Sequence, residues 1–343
     1  MSRTNDNGST PEDSPFGAVS EYSLTRTDRA QRAFEEFVVM PFSIIWDDFR
    51  ARIGFLIIVF YLLLGTLGVA VVRNPKPNQA GRLLPPFQTM AFPLGADKLG
   101  RGIFAQVVHA TPVMLEIMLS GGLWVIVVGT FLGLVAGYKG GKLDTVIMFM
   151  SDTLMMLPGL PLLLILIWIV KPESPIVIGL TLSLTGWAGL ARAIRSEMLS
   201  LREADYVEAS RIMGLDTSYI LKNDLLPNIM PYVLINLVNS MKGMIFAYMG
   251  LSFLGVLPFT NLNWGTMLNN AYTESGAIYS WKGAHWLLAP MLAVMLLSFG
   301  LVMFAQGCDR LFNPRVRARH ENNSKTDKNS TDNDSPTLME SNY

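Results

Sequence analysis

The sequence predicts an all-α membrane protein with six transmembrane helices. Three observations carry this. Half of the 343 residues are apolar and only 16% are charged, which suits a polytopic membrane chain better than a soluble domain. Aliphatic runs long enough to cross the roughly 30 Å hydrocarbon core of a bilayer recur along the chain. Between two of these runs lies one long polar stretch, Leu201 to Pro231, reading LREADYVEASRIMGLDTSYILKNDLLPNIMP. The net charge is zero and singles out no partner. Cys308 is the only cysteine, so an internal disulfide is excluded. His109, His285 and His320 are far apart and form no metal-ligand spacing.

Taken in order, residues 1–29 are rich in Ser, Thr, Asp, Gly and Pro, which predicts a disordered tail. Residues 30–52 alternate charge with Phe34, Phe37, Val38, Phe42 and Trp46. They read either as an amphipathic interfacial segment broken near Pro41 or as a segment packed on the bundle. The first span, residues 53–72, starts too deep in the chain and is too long for a cleaved signal peptide. Residues 73–112 form an outer segment. A core over residues 113–312 holds five more spans. These cover about 113–137, 145–170, 175–193, 231–257 and 286–306, with Pro158 and Pro161 expected to kink the third span. Residues 313–343 turn basic and then polar, predicting a second disordered tail.

Six spans place both termini on one side. If that side is the cytoplasm, Lys and Arg on the inner flanks outnumber those on the outer connections by thirteen to seven. The positive-inside rule therefore puts both tails and the Leu201–Pro231 stretch in the cytoplasm.

That stretch reads as two short helices and a turn. Arg202 to Met213 contains good helix formers, with Tyr206, Ala209 and Met213 on one face. Gly214 suits the left-handed residue that ends a helix. Asp216, Thr217 or Ser218 can cap a second helix. Pro227 then interrupts, and Pro231 suits the first turn of the next span. A helical connection of this length between spans reads as a docking surface rather than a solvated linker.

Ionisable and polar groups inside spans are costly and point to function or to a buried partner. Asp152 lies in the third span and Glu116 near the start of the second. In the fifth span Asn236, Asn239 or Ser240, and Gly243 share a face, with Lys242 nearby. This stripe either lines a translocation path or makes hydrogen bonds between helices. Lys242 has Asp152 and Glu116 as candidate counter-charges. Arg192 and Arg195 sit three apart at the boundary of the fourth span, as anchors or docking charges. Trp264, Tyr272, Tyr279 and Trp281 suit an interfacial belt. The run GYKGGKL, Gly137 to Leu143, fails the phosphate-loop pattern, and no Walker motif occurs elsewhere. Neither a metal-ligand cluster nor a nucleophile–base motif is visible, so no cofactor or metal is expected and the chain reads as non-catalytic.

The polar stretch also resembles the EAA loop of ABC importer permeases. That pattern is Glu-Ala-Ala, three residues, Gly and a later Leu-Pro. Here it is Glu208-Ala209-Ser210, Gly214 and Leu226-Pro227. Ser210 stands for the second Ala, and Asp224 for a usual Ile. Other runs are similar to the dipeptide/oligopeptide/nickel group of these permeases. They are Pro93-Leu94-Gly95 with Asp97, Gly100 and Arg101; the Ala136 to Asp144 turn; Asp152 with Pro158; the Gly186 to Ser210 run; and Leu251 to Gly255 followed by Trp264-Gly265 and Met267-Leu268. Pro112 and Met114 depart from the group, which often has Arg and Ser there.

The resemblance implies a type I ABC importer permease-like fold in the inner membrane, with a cytosolic coupling-helix loop over residues 198–230. Its contact residues would be Tyr206, Val207, Glu208, Ala209, Ser210, Gly214, Leu226 and Pro227. Asp152, Asn236, Asn239, Ser240 and Lys242 are the candidates for the path. The implied partners are a second homologous permease subunit, two cytosolic ATP-binding subunits or domains, an extracytoplasmic solute-binding protein and membrane lipid, with no nucleic acid. The implied cargo is a small solute, with di- or oligopeptides the majority case. The competing reading is an ATP-independent channel or secondary transporter.

Overall fold

The computed structural model describes residues 45–257, 262–275 and 281–308. The tails expected at 1–29 and 313–343, and residues 30–44 of the amphipathic segment, lie outside the described residues. Helix α1 spans Phe49–Val71 and α2 spans Ile103–Lys139. Helices α3 (Gly141–Met156) and α4 (Gly159–Val170) form one bent pair, and α5 (Pro175–Ser183) and α6 (Trp187–Leu201) a second. The short α7 covers Asp205–Ile212, and α8 runs over Thr217–Phe253. Helices α9 (Trp264–Ser275) and α10 (Trp281–Cys308) follow. Among the described residues, four helices are long and apolar enough to cross a membrane alone, and up to six spans result if each bent pair counts as one.

Helix α2 is the spine. Its 37 residues extend about 55 Å, well beyond the roughly 30 Å of hydrocarbon. It starts at Ile103, ten residues before the predicted span, and continues through Pro112. Proline removes one N–H there. Beside that gap the Val107 carbonyl accepts from Thr111 Oγ1 at 2.8 Å and Trp264 Nε1 at 3.3 Å. Further on, Gly129, Gly133 and Gly137 repeat at every fourth residue. A Cβ at any of them would collide with Leu190, Ile194 or Met198 of α6. Small residues at this spacing let two membrane helices approach closely, and here they seat α6 on α2. The opposite end is tied by aromatics. The Tyr61 hydroxyl of α1 donates to the Ala293 carbonyl of α10 at 2.7 Å, and its ring meets Trp264 edge-on.

Two of the predicted spans are broken, each for a local reason. Pro158 pushes Leu157 into extended backbone (ψ 136°) and is itself extended. Helices α3 and α4 therefore meet at 98°. Pro161, also expected to kink, falls in the first turn of α4, where its missing N–H costs nothing. The second break, of 54°, is a turn over Leu184–Gly186. Ser174 caps α5 ahead of Pro175, as suits a helix start.

Helix α8 departs most from expectation. It starts at Thr217 rather than near Pro231, and Pro231 lies inside it. Pro227 does not interrupt it. Instead the turn at Ile220–Leu225 widens to the π form, and the Leu226 N–H reaches back to the Leu221 carbonyl. A proline ring clashes with the carbonyl four residues before it. An extra residue in the preceding turn relieves that clash, so the polar stretch and the following span form one rod.

Between α1 and α2, residues 73–102 fold as turns around Asp97, which is fully buried. Its carboxylate accepts from the N–H of Leu99 and Arg101, from Arg101 Nε at 2.6 Å and from Gln106 Nε2 at 3.1 Å. This segment sits at the end of α2 opposite α7.

Candidate functional site: the α7 hairpin and the polar face of α8

Helix α7 is short because its ends are set by backbone chemistry. It begins after the turn at Arg202–Ala204 and carries Asp205 and Glu208 in its first turn, where carboxylates suit the positive end of the helix dipole. It ends in a Schellman motif. Gly214 takes φ +75°, its N–H bonds the Arg211 carbonyl at 3.0 Å, and the Leu215 N–H bonds the Ser210 carbonyl at 3.2 Å. Asp216 then caps α8 by accepting from the Ser218 N–H and hydroxyl. These bonds hold the Asp216 carboxyl below its ordinary pKa.

Val207 is completely buried and Ser210 nearly so. They face the bundle beside Ile220, Leu225 and Ile229 of α8, which are buried too. The Ser210 hydroxyl donates to Asp224 Oδ2 at 2.8 Å. Tyr206, Ala209 and Met213, read from their spacing as sharing one face, are exposed together with Glu208 and Ile212. Ile212 is 80% exposed and Met213 68%. The Tyr206 hydroxyl accepts from Asn228 Nδ2 at 3.1 Å. Partial burial raises its pKa above the ordinary tyrosine value, and the Asn228 bond opposes this. Leu226 is half-buried against the core and Pro227 is exposed. Of the eight predicted loop residues, then, Val207, Ser210 and Leu226 turn inward. Tyr206, Glu208, Ala209, Gly214 and Pro227 stay accessible. Leu215 and Tyr219, also exposed, widen the same surface.

The predicted path residues do not meet as one cluster. Asp152 pairs with Arg192 of α6. Asp144, not singled out from the sequence, pairs with Arg195 through both carboxylate oxygens at 2.5 and 2.6 Å. The two arginines, read as anchors or docking charges, instead tie α6 to α3. Acids on α3 and arginines three apart on α6 were the available sequence signal. Among the described residues, neither Lys242 nor Glu116 forms an ion pair, so neither counter-charge expected for Lys242 is in place. Lys242 is half-buried and Glu116 exposed.

Tyr232, Asn236, Asn239, Gly243, Phe246 and Gly250 recur at helical spacing on α8 and leave one side of it uncovered. A Cβ at Gly243 or Gly250 would meet nothing within 4 Å. Asn236 Nδ2 donates to the Tyr232 carbonyl of its own helix at 2.9 Å, so its amide oxygen stays available. Ser240 is half-buried beside this face. The other side of α8 packs Met241 and Met244 onto Gly122 and Gly121 of α2. A half-polar face left open in a membrane helix suits a wet cavity or a further helix, not lipid.

Residues 129–318 match the family described as binding-protein-dependent transport system inner membrane component. The dipeptide transport system permease protein DppC of Bacillus subtilis (strain 168) is 30% identical over 275 residues, covering 78% of this chain and 82% of that protein. The oligopeptide transport system permease protein OppC of the same organism is 28% identical, covering 80% and 90%. The dipeptide permease protein of Haemophilus influenzae is 26% identical, covering 81% and 96%. The chain thus belongs to the family of binding-protein-dependent transport system inner membrane components. It is a multi-pass, non-catalytic permease subunit of an ABC transporter, working with ATPase and binding-protein partners.

Proposed function

We propose that this subunit imports di- or oligopeptides, with α7 as the helix that docks into a cleft of a cytosolic ATPase. The carrying observation is the split of α7. Val207 and Ser210 lock it to the bundle, while Tyr206, Ala209, Ile212 and Met213 leave an exposed apolar rim around the Glu208 carboxylate, with Asp205 also exposed at the helix start. A contiguous exposed apolar surface with a charge at its edge suits a protein interface. The continuity of α7 with α8 through the Gly214 turn supports mechanical coupling. A push on α7 reaches the rod of α8 and so its open polar face, where Asn236, Asn239, Ser240 and Lys242 would line the path. Asp152 braces α3 on α6 beside it.

On this reading the open face of α8 closes against a second, similar permease subunit. Two ATP-binding subunits serve the pair, and a solute-binding protein delivers cargo on the opposite side, near residues 73–102. On the same reading both termini and α7 lie in the cytoplasm, which the Lys and Arg bias supports. The peptide cargo rests on the names of the relatives.

Affinity purification of the chain from its native membrane in mild detergent tests this assembly. Mass spectrometry should find a second polytopic chain and a Walker-motif ATPase with it. Recovery of the folded chain alone, reproducibly, would refute it.

A further inference from the structure

The end of α2 carries a cleft that adjoins, through Arg202 and Arg211, the face of the hairpin that presents Glu208. It measures about 560 Å³ and is lined by Tyr138 and Lys139 of α2, by Arg202 and Glu203 just after α6, and by Arg211 of α7. Two of its three cations are held in place. The Arg211 guanidinium lies 5.1 Å over the Tyr138 ring, and Arg202 Nη1 reaches the Gly137 carbonyl at 3.4 Å. Among the described residues Glu203 is the only acid lining it, and Glu208 lines the adjoining cleft beside Arg202 and Arg211. The Glu203 side chain is 77% exposed and meets Arg202 only at 3.9 Å, too loosely to neutralise the site. Three cations thus face one rim carboxylate.

We propose that this cleft binds the phosphate headgroup of an anionic phospholipid. Three features favour a lipid over a free anion. The cleft opens at Tyr138 and Lys139, just past the end of the predicted span at about residue 137, where lipid headgroups lie. Tyr138 is the amphipathic ring expected at such a boundary. Val127 and Phe131 are each 64% exposed on α2, and they lie in helical register with Tyr138. They make an apolar track that an acyl chain can follow from the bilayer to the cleft. Arginine forks match phosphate oxygens in pairs, and basic pockets between membrane helices take anionic headgroups. The bound lipid would join the ends of α2, α6 and α7, and so steady the hairpin from the membrane side. The inference rests on the membrane placement of α2, not on which solute is carried or on docking of an ATPase.

The test is native mass spectrometry of the full-length chain released from nanodiscs of equal parts phosphatidylglycerol and phosphatidylcholine. The chain should retain phosphatidylglycerol preferentially. The double variant R202Q/R211Q should lose that retention by about tenfold or more, since each cation near an anionic membrane contributes about fivefold. Arg202→Lys and the far-side variant K76Q/R82Q should retain the lipid. Melting of each variant in pure phosphatidylcholine separates loss of fold from loss of site, and Lys139→Gln serves if the double variant unfolds. Equal retention of the two lipids, or full retention by the double variant, overturns the proposal. Displacement by millimolar inorganic phosphate would make the cleft a free-anion site and overturn the lipid source. Retention by the isolated chain but not by the assembled transporter would make the cleft a contact for a partner's acidic segment and overturn the lipid proposal.

Discussion

Ser210 and Asp224 form a hydrogen-bonded pair, hydroxyl to carboxylate at 2.8 Å, between α7 and the wide turn that opens α8. These are the two positions at which the loop departs from the Glu-Ala-Ala…Gly…Leu-Pro pattern. Each departure alone puts a polar group where a small or apolar one is usual. Together they satisfy each other, and they bolt the exposed helix to the rod behind it. Ser210→Ala should strand the half-buried carboxylate and cost about 1–2 kcal/mol. Asp224→Ile should leave the hydroxyl unpaired at a smaller cost. The double variant S210A/D224I should recover most of the loss, with a coupling of about 1–2 kcal/mol in a double-mutant cycle of unfolding in lipid. Simple additivity would mean that the pair does not work as a unit.

The two ion pairs between α3 and α6 differ in surroundings and should differ in worth. Asp144 and Arg195 make a bidentate contact with side chains 16% and 31% exposed, whereas Asp152 and Arg192 are 41% and 51% exposed. Removing one partner of a largely buried pair costs about 3 kcal/mol, against about 1 kcal/mol or less for an accessible one. Asp144→Asn should therefore lower the melting temperature more than Asp152→Asn. The reverse order would place the Asp152 pair against a dry surface of another chain.

Glu208 is exposed on the rim of α7 and lines a cleft with Arg202, Arg211 and Ile212. Its side chain holds up nothing in the bundle. Glu208→Lys should leave expression and melting near wild type while weakening association with the ATPase by about tenfold, the scale of one interface hot spot. Unchanged association and uptake would remove the docking role.

Gly214 stands at φ +75°, and a Cβ there would meet no atom within 4 Å. Any penalty from substitution is therefore conformational, not steric. Gly214→Val should cost about 1–2 kcal/mol and uncouple ATP hydrolysis from uptake. Gly214→Asn, which visits the left-handed region more readily, should keep most of the activity. If valine transports as well as glycine, the Schellman turn is not a coupling element.

Much of this was legible along the chain because it depends on local chemistry. Apolar runs mark spans since hydrocarbon demands them. Gly214 and Asp216 mark a helix end and a helix start through backbone geometry and capping. Pro158 reads correctly as a break, whereas the kink at Pro161 and the interruption at Pro227 do not occur, and Pro231 lies inside a helix rather than at its first turn. Whether a proline breaks a helix depends on whether its missing N–H falls in a first turn or beside a widened one. The Gly129, Gly133 and Gly137 repeat is a packing signal at helical spacing, but the sequence does not say that α6 is the helix it seats.

The class of protein, the membrane segments and the polar hairpin are written along the chain, because all of them follow from neighbours within a few residues. Tertiary structure alone decided which face of α7 turns inward, because that depends on what α8 presents to it. It also decided that Arg192 and Arg195 serve α3, that Lys242 is left without Asp152 or Glu116, and that Ser210 answers Asp224. Charge pairing acts over a few ångströms in space. Residues 14, 40 or 51 positions apart come within that range only when the helices between them have packed.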